Sequence, residues 1–309
     1  MKDTATSFLA PQMISRLSSI TLRARQRMEG TLAGIHESPH RGSSVEFLEH
    51  KRYTPGDDIR DIDWKLVARS DRLYIKQYEN ETNMRAIITI DGSTSMEYGP
   101  EGRTKLRCAK LMAGALSYLL LSQSDAVGLL SQSHEERLYV PPRSKWSHYR
   151  AIGRALDDLD ASDKETWIRH LMNLVGTNAN HQSGTGAFPK HGMFILFSDL
   201  LSDRDKIIRA LQLLRDRRHD VILFHVLHPW ELEFPFDSPR VFRAPENSTT
   251  EILADPQSVR DSYLERIQEL QTFYQRESNR MDIDYHLISS DESLDEALIQ
   301  YLHRREQLG

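Results

Sequence analysis

Three apolar, β-rich runs constrain this chain more than anything else in it: AIITI at 86–90, MFILF at 193–197 and VILFHVL at 221–227. Each is short and lacks the polar alternation of a half-exposed strand, which marks a strand covered on both faces. Helical spacing fills the intervals, at about 103–122, 146–159, 166–175, 204–218, 257–278 and 293–305. Three further strands read at AVGLLS (126–131), RLYV (137–140) and IDYHLI (283–288), with RLYV short enough for a hairpin edge. Strands alternating with helices require right-handed crossovers, so the expected fold is α/β: a doubly wound, mainly parallel sheet over about 85–305.

Residues 1–84 have little core of their own. Ile14, Leu17, Ile20, Ala24 and Met28 follow helical spacing until Gly30 stops the run. VEFLEHKRY (45–53) and LYIKQYE (73–79) read as strands. This segment is expected to be a small helical and β extension, in keeping with about two domains for 309 residues. After Val175 the chain reads GTNANHQSGTGAFP, a polar loop expected to be mobile. The stretch after Leu227 reads as irregular.

With 40 Lys and Arg against 45 Asp and Glu, the balance argues against broad electrostatic binding of nucleic acid or anionic lipid. Cys108 is the single cysteine, which excludes a disulfide framework and any cysteine-based zinc site and fits a reducing compartment. It is expected to be a small core residue of its helix. MKDTATSFLAPQ has no apolar core of signal-peptide length, and LMAGALSYLLL (111–121) is too short to span a bilayer. The expectation is a cytoplasmic protein.

Ligands of open parallel sheets bind beyond the carboxyl ends of the strands. Two of those ends are polar here: AIITI runs into Asp91-Gly92-Ser93-Thr94-Ser95, and MFILF runs into Ser198-Asp199. Asp91, Ser93 and Ser95 alternate, so a tight turn can aim all three at one point. Carboxylate and hydroxyl oxygens are hard donors, suited to Mg²⁺ or Mn²⁺ rather than Zn²⁺. Asp199 would complete a shallow site with exposed hydroxyls and modest affinity. The alternative is a serine-rich turn whose hydroxyls cap the next helix.

IDGSTSM (90–96) resembles the metal-ion-dependent adhesion site of von Willebrand factor A domains. RYTPGDDIRDIDWKLVAR (52–69), YENE (78–81), HPWELEFPF (228–236) and the C-terminal SVRDSYLERI and YLHRRE segments resemble domain-of-unknown-function family fifty-eight. That resemblance runs over nearly the whole chain from about residue 45. It implies an A-type domain in a cytosolic adaptor protein, often associated with MoxR-type AAA+ ATPases that remodel other proteins or assist their metal loading. It implies no enzymatic reaction. Carried over, Asp91, Ser93 and Ser95 match the first adhesion-site motif and Asp199 the last. The middle ligand is a threonine on a loop, matched by Thr166, with Thr177 and Thr185 open as alternatives. The implied partner is a AAA+ ATPase or its client, presenting an Asp or Glu to the metal.

Other signals weigh less. Asp57, Asp58, Asp61 and Asp63 lack the spacing and the Glu of a calcium loop, so the PGDDIRDIDW block reads as a structural junction with Trp64 buried against the A domain. No P-loop, HExxH or dinucleotide fingerprint occurs. Asp91 after a strand also evokes haloacid-dehalogenase-like phosphatases, with Asp199 and Asp203 as the acidic pair, but position 93 is Ser where the general acid would stand. A metal-free scaffold is the third reading.

Overall fold

The computed structural model describes residues 45–52, 66, 73–80, 84–133, 136–161, 167–176, 192–244, 247–293, 298 and 301. These fall into two compact units, one holding the described residues from 84 onward and the other those between 45 and 80. The expected helix at 11–29, the PGDDIRDIDW block with Trp64, the threonines Thr166, Thr177 and Thr185, and nearly all of the 176–189 loop lie outside the described residues. So does most of the last expected helix, of which residues 298 and 301 are described as helical.

In the smaller unit β1 (Val45–Arg52) pairs antiparallel with β2 (Tyr74–Asn80), Val45 opposite Asn80 and Arg52 opposite Tyr74. The larger unit opens with β3 (Arg85–Ile90), a 3₁₀ turn (Thr94–Glu97), α1 (Lys105–Ser122), β4 (Ala126–Ser133) and β5 (Glu136–Arg143). It continues with α2 (His148–Asp157), α3 (Trp167–Gly176), β6 (Met193–Ser198), α4 (Arg204–Asp216) and β7 (Asp220–Leu227). Then follow α5 (Pro229–Glu233), β8 (Arg240–Ala244), β9 (Asn247–Ala254), α6 (Pro256–Arg280) and β10 (Asp284–Ser289).

Six of these strands form one sheet in the order β10-β7-β6-β3-β4-β5. All neighbours run parallel except β5, which returns antiparallel along β4 as the expected edge hairpin. The α/β reading is borne out, and the three apolar runs are its adjacent central strands. Their side chains alternate between two cores, as the pleat dictates. Ile88, Ile90, Phe197 and Phe224 face Met112 and Leu116 of α1 and Ile152 and Leu156 of α2. Ile87, Phe194, Leu196 and Leu223 face Leu171 of α3, Leu211 of α4 and Tyr274 of α6. Cys108 is buried, as expected of a core residue. Among the described residues no helix is long and apolar enough to cross a membrane.

The stretch after β7 is not irregular, contrary to expectation. It holds α5 and an antiparallel β8–β9 hairpin. The start of α5 is capped by a histidine: His228 Nδ1 accepts from Trp230 N at 3.1 Å, and Glu231 Oε2 accepts from His228 N at 2.8 Å. A five-residue helix with a His cap shows neither helical periodicity nor the usual Ser, Thr or Asp start signal.

Strand β6 enters the sheet through Gly192, where an added Cβ would stand 2.2 Å from the carbonyl oxygen of Arg85 on β3. Backbone cannot yield as a flexible side chain can. Gly192→Ala should therefore lower stability by about 2 kcal/mol or more, read as a fall in the urea midpoint. An unchanged midpoint would mean that β6 shifts freely at its entry.

Candidate metal centre

The strand order places a switch point between β3 and β6. From β3 the chain continues to β4 on one side, while β6 leads to β7 and β10 on the other. Crevices at such points are where open α/β sheets bind ligands. Asp91 follows β3 and Asp199 follows β6, so the two carboxylates flank this crevice. Asp91 N donates to Phe197 O at 2.8 Å and stitches the two strand ends together.

The local turn explains the serines. Ser93 N donates to Asp91 Oδ1 at 2.9 Å, and Met96 N donates to Ser93 O at 3.0 Å. This closes a tight turn that buries Met96 in the core and draws Ser93 and Ser95 inward. Their hydroxyls are 3.0 Å apart and hydrogen-bonded. The expectation of exposed hydroxyls is corrected here: Ser93 is 1% exposed and Ser95 3%, because the 3₁₀ turn pulls both beneath the surface.

The chemistry of this donor set fits a small hard ion. Adjacent ligands of an octahedron with bonds of about 2.1 Å lie roughly 3 Å apart, a spacing the serine pair can meet. Among the described residues no three His, Cys, Asp or Glu side chains cluster as metal ligands. Any site here must draw on hydroxyls. The structure brings together Asp91, Ser93, Ser95 and Asp199, and Thr166 lies outside the described residues.

Four residues take part to which the sequence assigned no role: Ser198, Lys105, Glu231 and His225. Ser198 Oγ donates to Asp91 Oδ2 at 2.6 Å and accepts from Leu200 N at 3.0 Å. Lys105, wholly buried at the start of α1, places Nζ 2.8 Å from Asp199 Oδ2 and 2.8 Å from Glu231 Oε1 of α5. His225 of β7 lies 3.0 Å from the Asp199 carbonyl through Nε2 and 2.7 Å from the Tyr285 hydroxyl through Nδ1. A carbonyl only accepts, so Nε2 carries the proton and Nδ1 receives the one from tyrosine. Burial lowers the His225 pKa to about 4, which keeps the ring neutral.

The electrostatics are unbalanced. Asp91, Asp199 and Glu231 are all buried, and Lys105 is the cation among them. Burial opposes the Lys105 charge, but Asp199 and Glu231 outweigh it and raise its pKa. Burial also raises Asp199, yet Lys105 holds that carboxyl below its ordinary value. Among the described residues no cation pairs with Asp91 in this way. Burial, then the Asp199 charge, push its pKa to about 7. Both Asp91 oxygens are engaged by Ser93 N and Ser198 Oγ. Asp203, the other acid of the phosphatase reading, caps α4 through Asp205 N and Lys206 N.

A family model described as "Protein of unknown function DUF58" matches residues 49–272. The chain is similar to the uncharacterised proteins Rv1480 of Mycobacterium tuberculosis and Mb1516 of Mycobacterium bovis. Each is 24% identical over 255 residues, 82% of this chain and 77% of the relative. Among solved structures it is similar to conserved hypothetical protein BatB from Bacteroides thetaiotaomicron, at 15% identity and TM-score 0.41, over 72% of this chain and 99% of that one. It is also similar to the SpRpn10 VWA domain, at 11% identity and TM-score 0.40, over 71% of this chain and 95% of that one.

The Asp91 pKa has a testable sign. Its folded value of about 7 lies above the ordinary 3.8, so the stability linked to this group is complete at low pH and lost as pH rises through 7. In EDTA the wild type should lose about 1.4 kcal/mol per pH unit between roughly pH 4 and 7, with the slope from this group vanishing above that range. Asp91→Asn should remove that slope in urea unfolding. An equal slope in both proteins would place the titration elsewhere.

Proposed function

Because the chain belongs to the DUF58 family, we propose that it is a von Willebrand factor A-type protein-interaction module that works as a metal-dependent adaptor rather than as an enzyme. The observation that carries this reading is the buried serine pair at 3.0 Å, set between two carboxylates at the switch point. Ser93 and Ser95 would hold Mg²⁺ or Mn²⁺ through their hydroxyls, with Asp91 and Asp199 balancing its charge and Thr166 as a further ligand. Once bound, the ion supplies an electron-poor centre that accepts an Asp or Glu carboxylate from a partner protein.

The roles of the residues follow from their surroundings. Asp91 and Asp199 would balance the ion's charge, while neutral hydroxyls as direct donors would leave it an electron-poor face, so a partner carboxylate entering the crevice would be paired as it leaves water. Ser198 fixes the Asp91 carboxylate, and His225 fixes the Asp199 backbone from which its side chain reaches the crevice. By the resemblance in its sequence blocks, the partner is a MoxR-type AAA+ ATPase or its client, met in the cytoplasm.

Ser93→Ala combined with Ser95→Ala should abolish Mg²⁺ binding in calorimetry and Mg²⁺-dependent capture of a MoxR-type ATPase in a pull-down. EDTA should act on the wild type in the same way. Removing both hydroxyls deletes a mutually bonded pair and also takes a hydrogen bond from each of the buried Asp91 and Asp199 carboxylates, so stability should fall by about 2–3 kcal/mol without loss of the fold. Undiminished capture by the double variant and in EDTA would favour a metal-free scaffold.

A further inference from the structure

Lys105 is the first residue of α1, yet its side chain is fully buried and points into the crevice rather than to solvent. An unpaired ammonium there would cost several kcal/mol. This one is paired twice, with acids contributed by two other elements: Asp199 after β6 and Glu231 of α5. Asp199 is therefore shared. Its Oδ2 faces Lys105, its Oδ1 accepts from Leu201 N at 3.2 Å, and Ser95 hydrogen-bonds to the same carboxylate.

We infer that Lys105 is a built-in counter-ion that competes with a divalent cation for Asp199, and that Glu231 is the dock that keeps the ammonium buried when Asp199 turns to the ion. The inference rests on the proposed metal reading of Asp91, Ser93, Ser95 and Asp199. An ammonium and a divalent ion on one carboxylate repel strongly in a water-poor crevice. The serine-side donors and the Lys105 pairing thus pull Asp199 toward two different cations. Glu231 is suited to its part because it is itself held. Its second oxygen accepts from His228 N at 2.8 Å, at the cap of α5. Metal loading is in this way tied to the ion pair that joins α1 to α5.

Calorimetric titration of the full chain with Mg²⁺ tests this on the wild type, Lys105→Met and the double variant Lys105→Met/Glu231→Gln. The double variant loses one charge of each sign, so its net buried charge equals the wild type's, and it carries the test where Lys105→Met fails to fold. Mg²⁺ should bind Lys105→Met at least tenfold more tightly than wild type, and the double variant severalfold more tightly. Adding Ser93→Ala and Ser95→Ala to either should abolish the gain. Equal affinity in the wild type and the double variant would overturn the counter-ion role and leave the metal reading standing. A gain that survives loss of both serines would overturn it too, by placing the ion elsewhere. Failure of Mg²⁺ to bind any of these proteins would overturn both readings.

Discussion

The larger unit is organised around a charge imbalance that its own sheet creates. Two central parallel strands end side by side, each followed at once by an aspartate, and the chains are joined there by the Asp91 N–H on Phe197 O. Neither carboxylate can retreat to water, since both are fully buried. The surrounding elements answer that constraint. α1 delivers an ammonium, Ser198 and Ser93 deliver hydrogen bonds, and α5 brings the acid that completes the ammonium's pairing. What is left over is negative charge on Asp91, met without metal by a proton held up to neutral pH.

Much of this was legible in the sequence. The strands declared themselves because burial on both faces leaves no alternation, and Ile87 and Ile88 do face opposite cores. The alternation of Asp91, Ser93 and Ser95 likewise anticipated their convergence, because residues two apart in a tight turn can share a side. Their depth was not legible. It depends on the 3₁₀ turn anchoring Met96 in the core, a tertiary contact with no local signal.

Lys105 and Glu231 were missed for a related reason. A lysine at the first position of an apolar helix reads as the solvated end of that helix, and its pairing is visible only when β6 and α5 are in place. Glu231 sits in a five-residue helix whose cap is a histidine, so neither period nor start signal marked it. His225 was hidden inside a strand run, where one imidazole among apolar residues looks like packing. Its two hydrogen bonds give it a second task, holding the Asp199 backbone.

The Lys105 pairings also bear on how the molecule comes apart. They join residues 94 and 126 positions distant in the chain. Closing loops of that length has to be paid for in entropy before the contacts form, so such pairs tend to complete after the folding barrier is crossed. Interactions absent from the transition state act on the unfolding rate and leave the folding rate nearly untouched. The buried ammonium is then a latch: it does little to hurry the chain into its native form, and it governs how long the finished form persists.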